Sequence, residues 1–421
     1  MRASAALALG LWLAPAAGAQ SVLIRGARIV TVSGPVIAEG SVLVRDGRIA
    51  QVGGSVSAPA DAQVIDARGL TLYPGLFDAS SGAGMQTARE TTMGELLPHL
   101  RAFWSFHFDA DLVELSRANG VTHIVARPGR TGPGGRLRRG LIPGQAAVMN
   151  LSGDGLEKSE ITRDGPLVVN FPSVGELEYT GDERFAVEAW SKTRKAYERA
   201  LGDLKRFFKD ARDYAAAKPA VPDLVLEAMT PVVRGERLVY LVADNAVDIQ
   251  AAVAFGKAER LRFAIEGGAE AWKLLDVLAT EGVRVVLGSR QGVPDGEDDP
   301  VDILYRTPEL LRARGVTFVL TTAGGGGAVD SRHLAYQAGN AVAYGLPYDA
   351  ALRAITLTPA ELLGLASELG SIEKGKRANL VLAEGDLLEP STKIRGVWID
   401  GRPVSIETIQ TRNYEKYRAK P

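Results

Sequence analysis

The chain has 421 residues, with 49 Lys and Arg against 50 Asp and Glu, 46% hydrophobic residues, four His and no Cys. That balance argues against disorder, and a formal net charge of −1 gives no electrostatic pull toward nucleic acid or an anionic membrane. Without Cys there are no disulfides, thiol nucleophiles or Cys-bound zinc, and four His leave few nitrogen ligands for any metal.

The first element in chain order is a leader. Arg2, an apolar run to Leu13, Pro15 and then Ala17-Gly18-Ala19 predict a secretory signal peptide over residues 1–19. The mature chain is then expected to begin at Gln20 and to be periplasmic or secreted. No Cys follows the cleavage site, so no lipid anchor is expected, and no stretch is long and apolar enough for a membrane span.

From Val22 to Leu72 short β-branched runs alternate with turn glycines, and Asp46-Gly47 between two such runs is a hairpin signal. The far end has the same flavour in Asn379 to Leu382, Gly396 to Ile399 and Asp400-Gly401-Arg402. Both ends are expected to form small antiparallel sheet.

Between them, short apolar runs alternate with helix-like segments. Leu76-Phe77, Ile124-Val125, Val148-Met149, Val168-Val169, Leu238 to Val242, Phe263 to Ile265, Val285 to Leu287 and Thr317 to Leu320 are candidate strands. Helical patterns run over Ala269 to Thr280 and Ser331 to Tyr344, and Thr307-Pro308 looks like a helix start. This alternation is what an α/β barrel requires. An amphipathic helix is predicted from Trp190 to Ala215, with Tyr197, Leu201, Leu204, Phe208 and Ala211 on its apolar stripe. That stripe is read as a packing surface, one use of which would be contact with a partner.

Two segments, read together, resemble the amidohydrolase superfamily. The first is Leu72-Tyr73-Pro74-Gly75-Leu76-Phe77-Asp78, similar to that family's P-G-L-I-D lead into the first barrel strand. The second runs from Ala351 to Pro403 and contains Thr356-Leu357-Thr358-Pro359-Ala360, Gly370-Ser371-Ile372-Glu373-Lys374-Gly375-Lys376 and Ala378-Asn379-Leu380-Val381-Leu382. Gly120-Val121-Thr122-His123 is similar to the imidazolonepropionase-like, secreted branch. The resemblance implies a distorted (β/α)8 TIM barrel over residues 73–369. It also implies a small composite β-sandwich from residues 20–72 and 370–411.

The family's activity, hydrolysis of C–N bonds other than peptide bonds, relies on zinc or another divalent metal that acidifies a bound water. The implied ligands are an H-x-H pair, two further His and a final Asp, all at the C-terminal mouth of the barrel. Here the matching positions hold Ser80 and Gly82, Val242, Gly267 with Glu266 beside it, and Ala323. His99, His107, His123 and His333 are scattered and show no metal-binding spacing. No metal or other cofactor is therefore expected.

Three other features bear on function. Gly324 to Gly327 lacks the Lys-Ser/Thr of a phosphate loop and is read as a flexible connection. Arg127-Pro128-Gly129-Arg130, with Arg136, Arg138 and Arg139, is a basic loop near the mouth. Its two readings are a solvated turn and a carboxylate-binding site. Ser80-Ser81 lack the setting of a serine nucleophile.

The sequence thus points to a catalytically degenerate, metal-free pseudoenzyme of this family acting as a periplasmic binding or partner subunit. The alternative is an active hydrolase on cyclic amides or small amino-acid derivatives with an unusual or rebuilt site. The candidate pocket is Asp78, Ser80, Asp244, Glu266 and Thr322, with Asp78 and Glu266 expected to face one another or a basic loop residue. Expected partners are a second copy, an active paralogue or a small-molecule ligand.

Overall fold

The structure, a computed structural model, describes residues 21–418 except 86–94, 130–139, 174–177, 180–184, 187–189, 218, 290, 295, 297 and 324–326. The leader, most of the basic loop after Gly129 and most of the glycine run at 324–327 lie outside the described residues. The fold is mixed α/β. No helix among the described residues is long and apolar enough to cross a membrane.

The two ends of the chain meet in one eight-stranded sheet. Strand Thr71–Pro74 pairs antiparallel with Leu380–Glu384, opposing Leu72 to Leu382 and Pro74 to Leu380. The first strand, Val22–Ile29, lies parallel to both Gln63–Asp66 and Thr71–Pro74, so this sheet is mixed rather than antiparallel throughout. Its buried side holds Ile24, Ile29, Val42, Leu72, Leu380 and Trp398 in one cluster.

The expected hairpin turn at Asp46-Gly47 forms, and a second of the same kind forms at Asp400-Gly401. Asp46 and Gly47 have φ of 51° and 77°, and Asp400 and Gly401 have φ of 48° and 73°. Two successive positive φ angles make the tight turn whose twist suits paired strands. The turns also pack tip to tip. A Cβ on Gly401 would lie 2.8 Å from Gly47 Cα, and one on Gly47 would lie 2.9 Å from the Asp400 carbonyl oxygen.

The middle of the chain supplies two further sheets. One has four strands and contains Leu76–Ser81, Val121–Ala126 and Ala147–Asn150. The other has six and contains Leu167–Asn170, Leu238–Ala243, Arg262–Gly267, Arg284–Leu287 and Phe318–Leu320 in parallel sequence. Every residue of Leu76–Ser81, Val121–Ala126 and Leu238–Ala243 is buried, as in parallel strands covered on both faces. The chain passes between the sheets at Ala146, where Gly144–Gln145 pairs with one sheet and Ala147–Asn150 with the other. Phe77, Val125, Val148, Val168, Tyr240, Ala264, Val286 and Val319 share one apolar cluster, so both sheets enclose the same interior.

Helices cover the outer faces. Ala246–Ala258 starts at Asn245, whose side chain accepts a hydrogen bond from Asp248 N at 2.8 Å. The long helix spans Trp190–Ala217, and its stripe is already used inside the chain. Leu204, Phe208 and Ala211 are fully buried, and Phe208 meets Phe255 edge-on at 5.3 Å. These residues are therefore not a surface left for a partner.

One expected helix start is corrected. Thr307-Pro308 lies inside the helix Ile303–Ala313 rather than at its beginning. Pro308 lacks the N–H that would bond the Leu304 carbonyl, and the Thr307 hydroxyl donates to the Ile303 carbonyl at 2.8 Å.

Candidate functional site

Parallel strands deliver their C-terminal residues to one end of the fold, and the candidate pocket residues arrive there from several strands. Asp78 and Ser80 come from Leu76–Ser81, Glu266 from Arg262–Gly267 and Asp244 directly after Leu238–Ala243. Thr322 follows Phe318–Leu320, and Arg127 follows Val121–Ala126.

Asp78 and Thr322 form the first contact. The Asp78 carboxylate accepts the Thr322 N–H at 3.2 Å and the Thr322 hydroxyl at 2.5 Å, and the Ser80 N–H at 3.4 Å. Asp78 thus ties the first strand of the middle region to the last. Burial raises its pKa to about 6, against the lowering effect of the bonds from Thr322 and Ser80.

Glu266 is the centre of the second contact. Its Oε1 accepts the Ser80 hydroxyl at 2.6 Å and lies 2.7 Å from Arg127 Nε. The side chains of Arg127 and Glu266 are 11% and 3% exposed, so this is a buried ion pair. The Nε–H axis is poorly aligned with Oε1, so the contact is one of charge more than of a directed hydrogen bond. The other oxygen, Glu266 Oε2, is buried and has no partner. Arg127 also reaches Asn170 Oδ1, at 3.4 Å.

The solvated-turn reading of Arg127 is therefore corrected: it is buried against Glu266. Asp78 and Glu266 do not pair with each other; each has its own partner, Thr322 and Arg127 respectively. Asp244 follows the strand Leu238–Ala243. Its carboxylate lies over Gly267, where a Cβ would collide with it, and Gly267 has φ of 102°.

Two further interior groups border this cluster. Tyr240 donates to the Ala79 carbonyl at 3.1 Å, and its pKa is pushed well up by burial and by the nearby charges of Glu266 and Asp78. His123 is buried beside Phe77, ring centroids 5.6 Å apart, with Thr122 Oγ1 2.8 Å from its Nδ1. Burial, with a smaller push from Arg377, drives its pKa down to about 3, so it stays neutral near pH 7.

The donor set does not fit the divalent ion that the resemblance implies. The Ser80 hydroxyl is committed to Glu266, Gly82 has no side chain, and Val242 and Ala323 are apolar. The Asp244 carboxylate crowds the position at Gly267. Among the described residues no group of three or more His, Asp or Glu is placed to hold a metal. His99, His107, His123 and His333 remain dispersed.

A cavity of about 270 Å³ opens at the opposite end of the same strands, bordered by Asp164, Gly165, Arg237, Arg262 and Leu363. Its arginines are already engaged, Arg237 with Asp164 at 3.4 Å and Arg262 with the Leu362 carbonyl at 3.1 Å. Despite its volume, it lies away from the strand C-termini where such folds place their chemistry.

Comparison with known proteins gives consistent answers. An amidohydrolase family model matches residues 253–404. A curated relative, amidohydrolase tasK from Hapsidospora irregularis, is 38% identical over 73 residues, which is 17% of this chain and 7% of that protein. Among solved structures, an amidohydrolase from Thermotoga maritima MSB8 superposes with a TM-score of 0.78 at 24% identity, covering 91% of this chain and 99% of the other. A prolidase complexed with N-methylphosphonate-L-proline gives 0.55 at 16% identity over 92% and 100% of the two chains. Molinate hydrolase gives 0.56 at 15% identity over 92% and 95%.

Proposed function

We propose that the chain is an amidohydrolase-superfamily member, as the family model over residues 253–404 supports, and that it is metal-free and catalytically degenerate, serving as a periplasmic binding or partner subunit. The observation that carries this reading is the Ser80–Glu266–Arg127 cluster. Ser80, at one of the implied ligand positions, is committed to Glu266, which lies beside another at Gly267, and Arg127 pairs with the same carboxylate. A guanidinium supplies positive charge but has no open coordination position for a water, so nothing in this cluster acidifies one as a metal would.

The proposed frame is a distorted (β/α)8 barrel over residues 73–369, with a composite β-sandwich from residues 20–72 and 370–411. Its support is that the two middle sheets enclose one apolar interior and that Asp78 links their first and last strands. The strand at Gly144–Asn150 would be the distortion, since it runs antiparallel to its neighbours on both sides.

The deciding experiment is metal analysis of the purified protein, paired with assays on cyclic amides and small N-acyl amino acids. Less than about 0.1 equivalent of zinc, manganese or iron after dialysis, with no hydrolysis, is the expected result. Near-stoichiometric metal, or turnover that chelation abolishes, would replace this reading with that of an active hydrolase.

A further inference from the structure

We propose that the cavity at the N-terminal ends of the parallel strands binds a small monocarboxylate with an apolar body, its carboxylate held by Arg262. Leu238 and Arg262 open two of those strands, and Pro166 directly precedes a third. The cavity lies away from Ser80, Glu266 and Arg127, so the inference stands apart from the metal-free reading. A volume of about 270 Å³ is far above the roughly 30 Å³ that one water occupies, so there is room for an organic molecule. Val148, Pro166, Leu238, Leu363 and Leu365 give it an apolar wall.

The polar side of the wall selects the charge. The Arg262 guanidinium donates only to neutral main-chain carbonyls, that of Glu236 at 3.5 Å and that of Leu362 at 3.1 Å. No acid among the described residues pairs with it, and part of its N–H fork stays unused. Arg237 differs, since it meets Asp164 at 3.4 Å and donates to Gln145 Oε1. Asp164 is shared in turn with Arg101, at 3.1 Å. A guanidinium fork accepts a carboxylate in bidentate fashion, so Arg262 is the natural anchor. Thr162 lines the same cavity and accepts the Asp164 N–H at 3.1 Å, which leaves its hydroxyl proton to donate. Counting the ionisable lining groups with their ion-pair partners, Arg101, Arg237 and Arg262 stand against Asp164 and Glu236. A monocarboxylate offsets that one-charge excess. A phosphate dianion would overshoot it and leave the apolar wall uncovered.

The test is titration calorimetry on the full chain with sodium pentanoate. Pentanamide serves as the uncharged counterpart and inorganic phosphate as an anion without an apolar body. Saturable binding of pentanoate, absent for the other two, is expected. Arg262→Gln is expected to weaken pentanoate binding by about tenfold or more, since a charge-assisted pair is replaced by a neutral hydrogen bond. Glu236→Gln, which removes an acid from the same wall, is expected to hold or raise the affinity. Pentanoate and pentanamide behaving alike overturns the inference on the parent protein alone, whatever the variants do. Unchanged pentanoate affinity in a folded Arg262→Gln protein, or phosphate bound as tightly as pentanoate, also overturns it. None of these outcomes bears on metal content, so failure here leaves the metal-free reading standing, and bound metal leaves this one standing.

Discussion

Arg127 and Glu266 are 139 positions apart in the chain, yet their charged groups meet at 2.7 Å inside the fold, each almost shut off from solvent. Breaking one half of such a pair leaves the other as an uncompensated buried charge. Arg127→Ala is therefore expected to cost about 3–5 kcal/mol of stability. Arg127→Met combined with Glu266→Met should recover most of that loss, because neither charge then remains. Urea unfolding of the two variants checks this, and equal losses in both would contradict it.

Asp78 has a folded-state pKa of about 6 against an ordinary value of 3.8. A raised folded value means the native state holds a proton that the unfolded state releases between those limits. The associated stabilisation is full below pH 3.8 and is lost as pH rises through 6. Asp78→Asn should remove this dependence and flatten that part of the stability profile, as measured by thermal melts from pH 4 to 7.

His123 works with the opposite sign. Its folded pKa is depressed to about 3 from 6.5, so between these values the unfolded state binds the proton and the native state refuses it. Stability should fall as the pH drops below 6.5, with uptake of up to one proton on unfolding. His123→Phe, which keeps the ring against Phe77, is expected to lose this acid sensitivity. A variant as acid-labile as the parent would assign the effect to other groups.

The hairpin tips can be weighed by a matched pair of substitutions. Gly282 has φ of 62° with open space around its missing Cβ, whereas Gly401 has φ of 73° with Gly47 Cα in the way. Gly282→Ala should cost only the left-handed conformation, about 1–2 kcal/mol. Gly401→Ala should cost more, and the excess reads the contact between the two ends of the chain. Equal costs would mean the tips separate freely.

The strand framework was legible in the sequence because buried parallel strands are short, continuous apolar runs. All eight middle runs, from Leu76-Phe77 to Thr317–Leu320, fall in or overlap strands. The residues at the implied H-x-H slots, Ser80 and Gly82, could be read directly because Asp78 fixes their register. The Arg127–Glu266 pair was legible only in outline, as a carboxylate expected to face an unspecified basic loop residue. An arginine among Gly and Pro looks like a solvated turn, and only the three-dimensional course of two distant strands brings it to a carboxylate. The stripe of the long helix was seen as apolar, but its occupant, Phe255, is again a long-range partner. Thr307-Pro308 misled because a local capping pattern took no account of the helix already running from Ile303.

The meeting of the two hairpin turns also sets a clock on folding. Strand Thr71–Pro74 has its partner in Leu380–Glu384, so some three hundred residues must emerge from the ribosome before that edge can close. At ordinary synthesis speeds that wait is about 15–60 s. Throughout it, Thr71–Pro74 is paired on one edge with Val22–Ile29 and open on the other, beside Leu72 and Tyr73. This chain should therefore depend on a holding factor more than a protein whose first strands pair with their immediate neighbours.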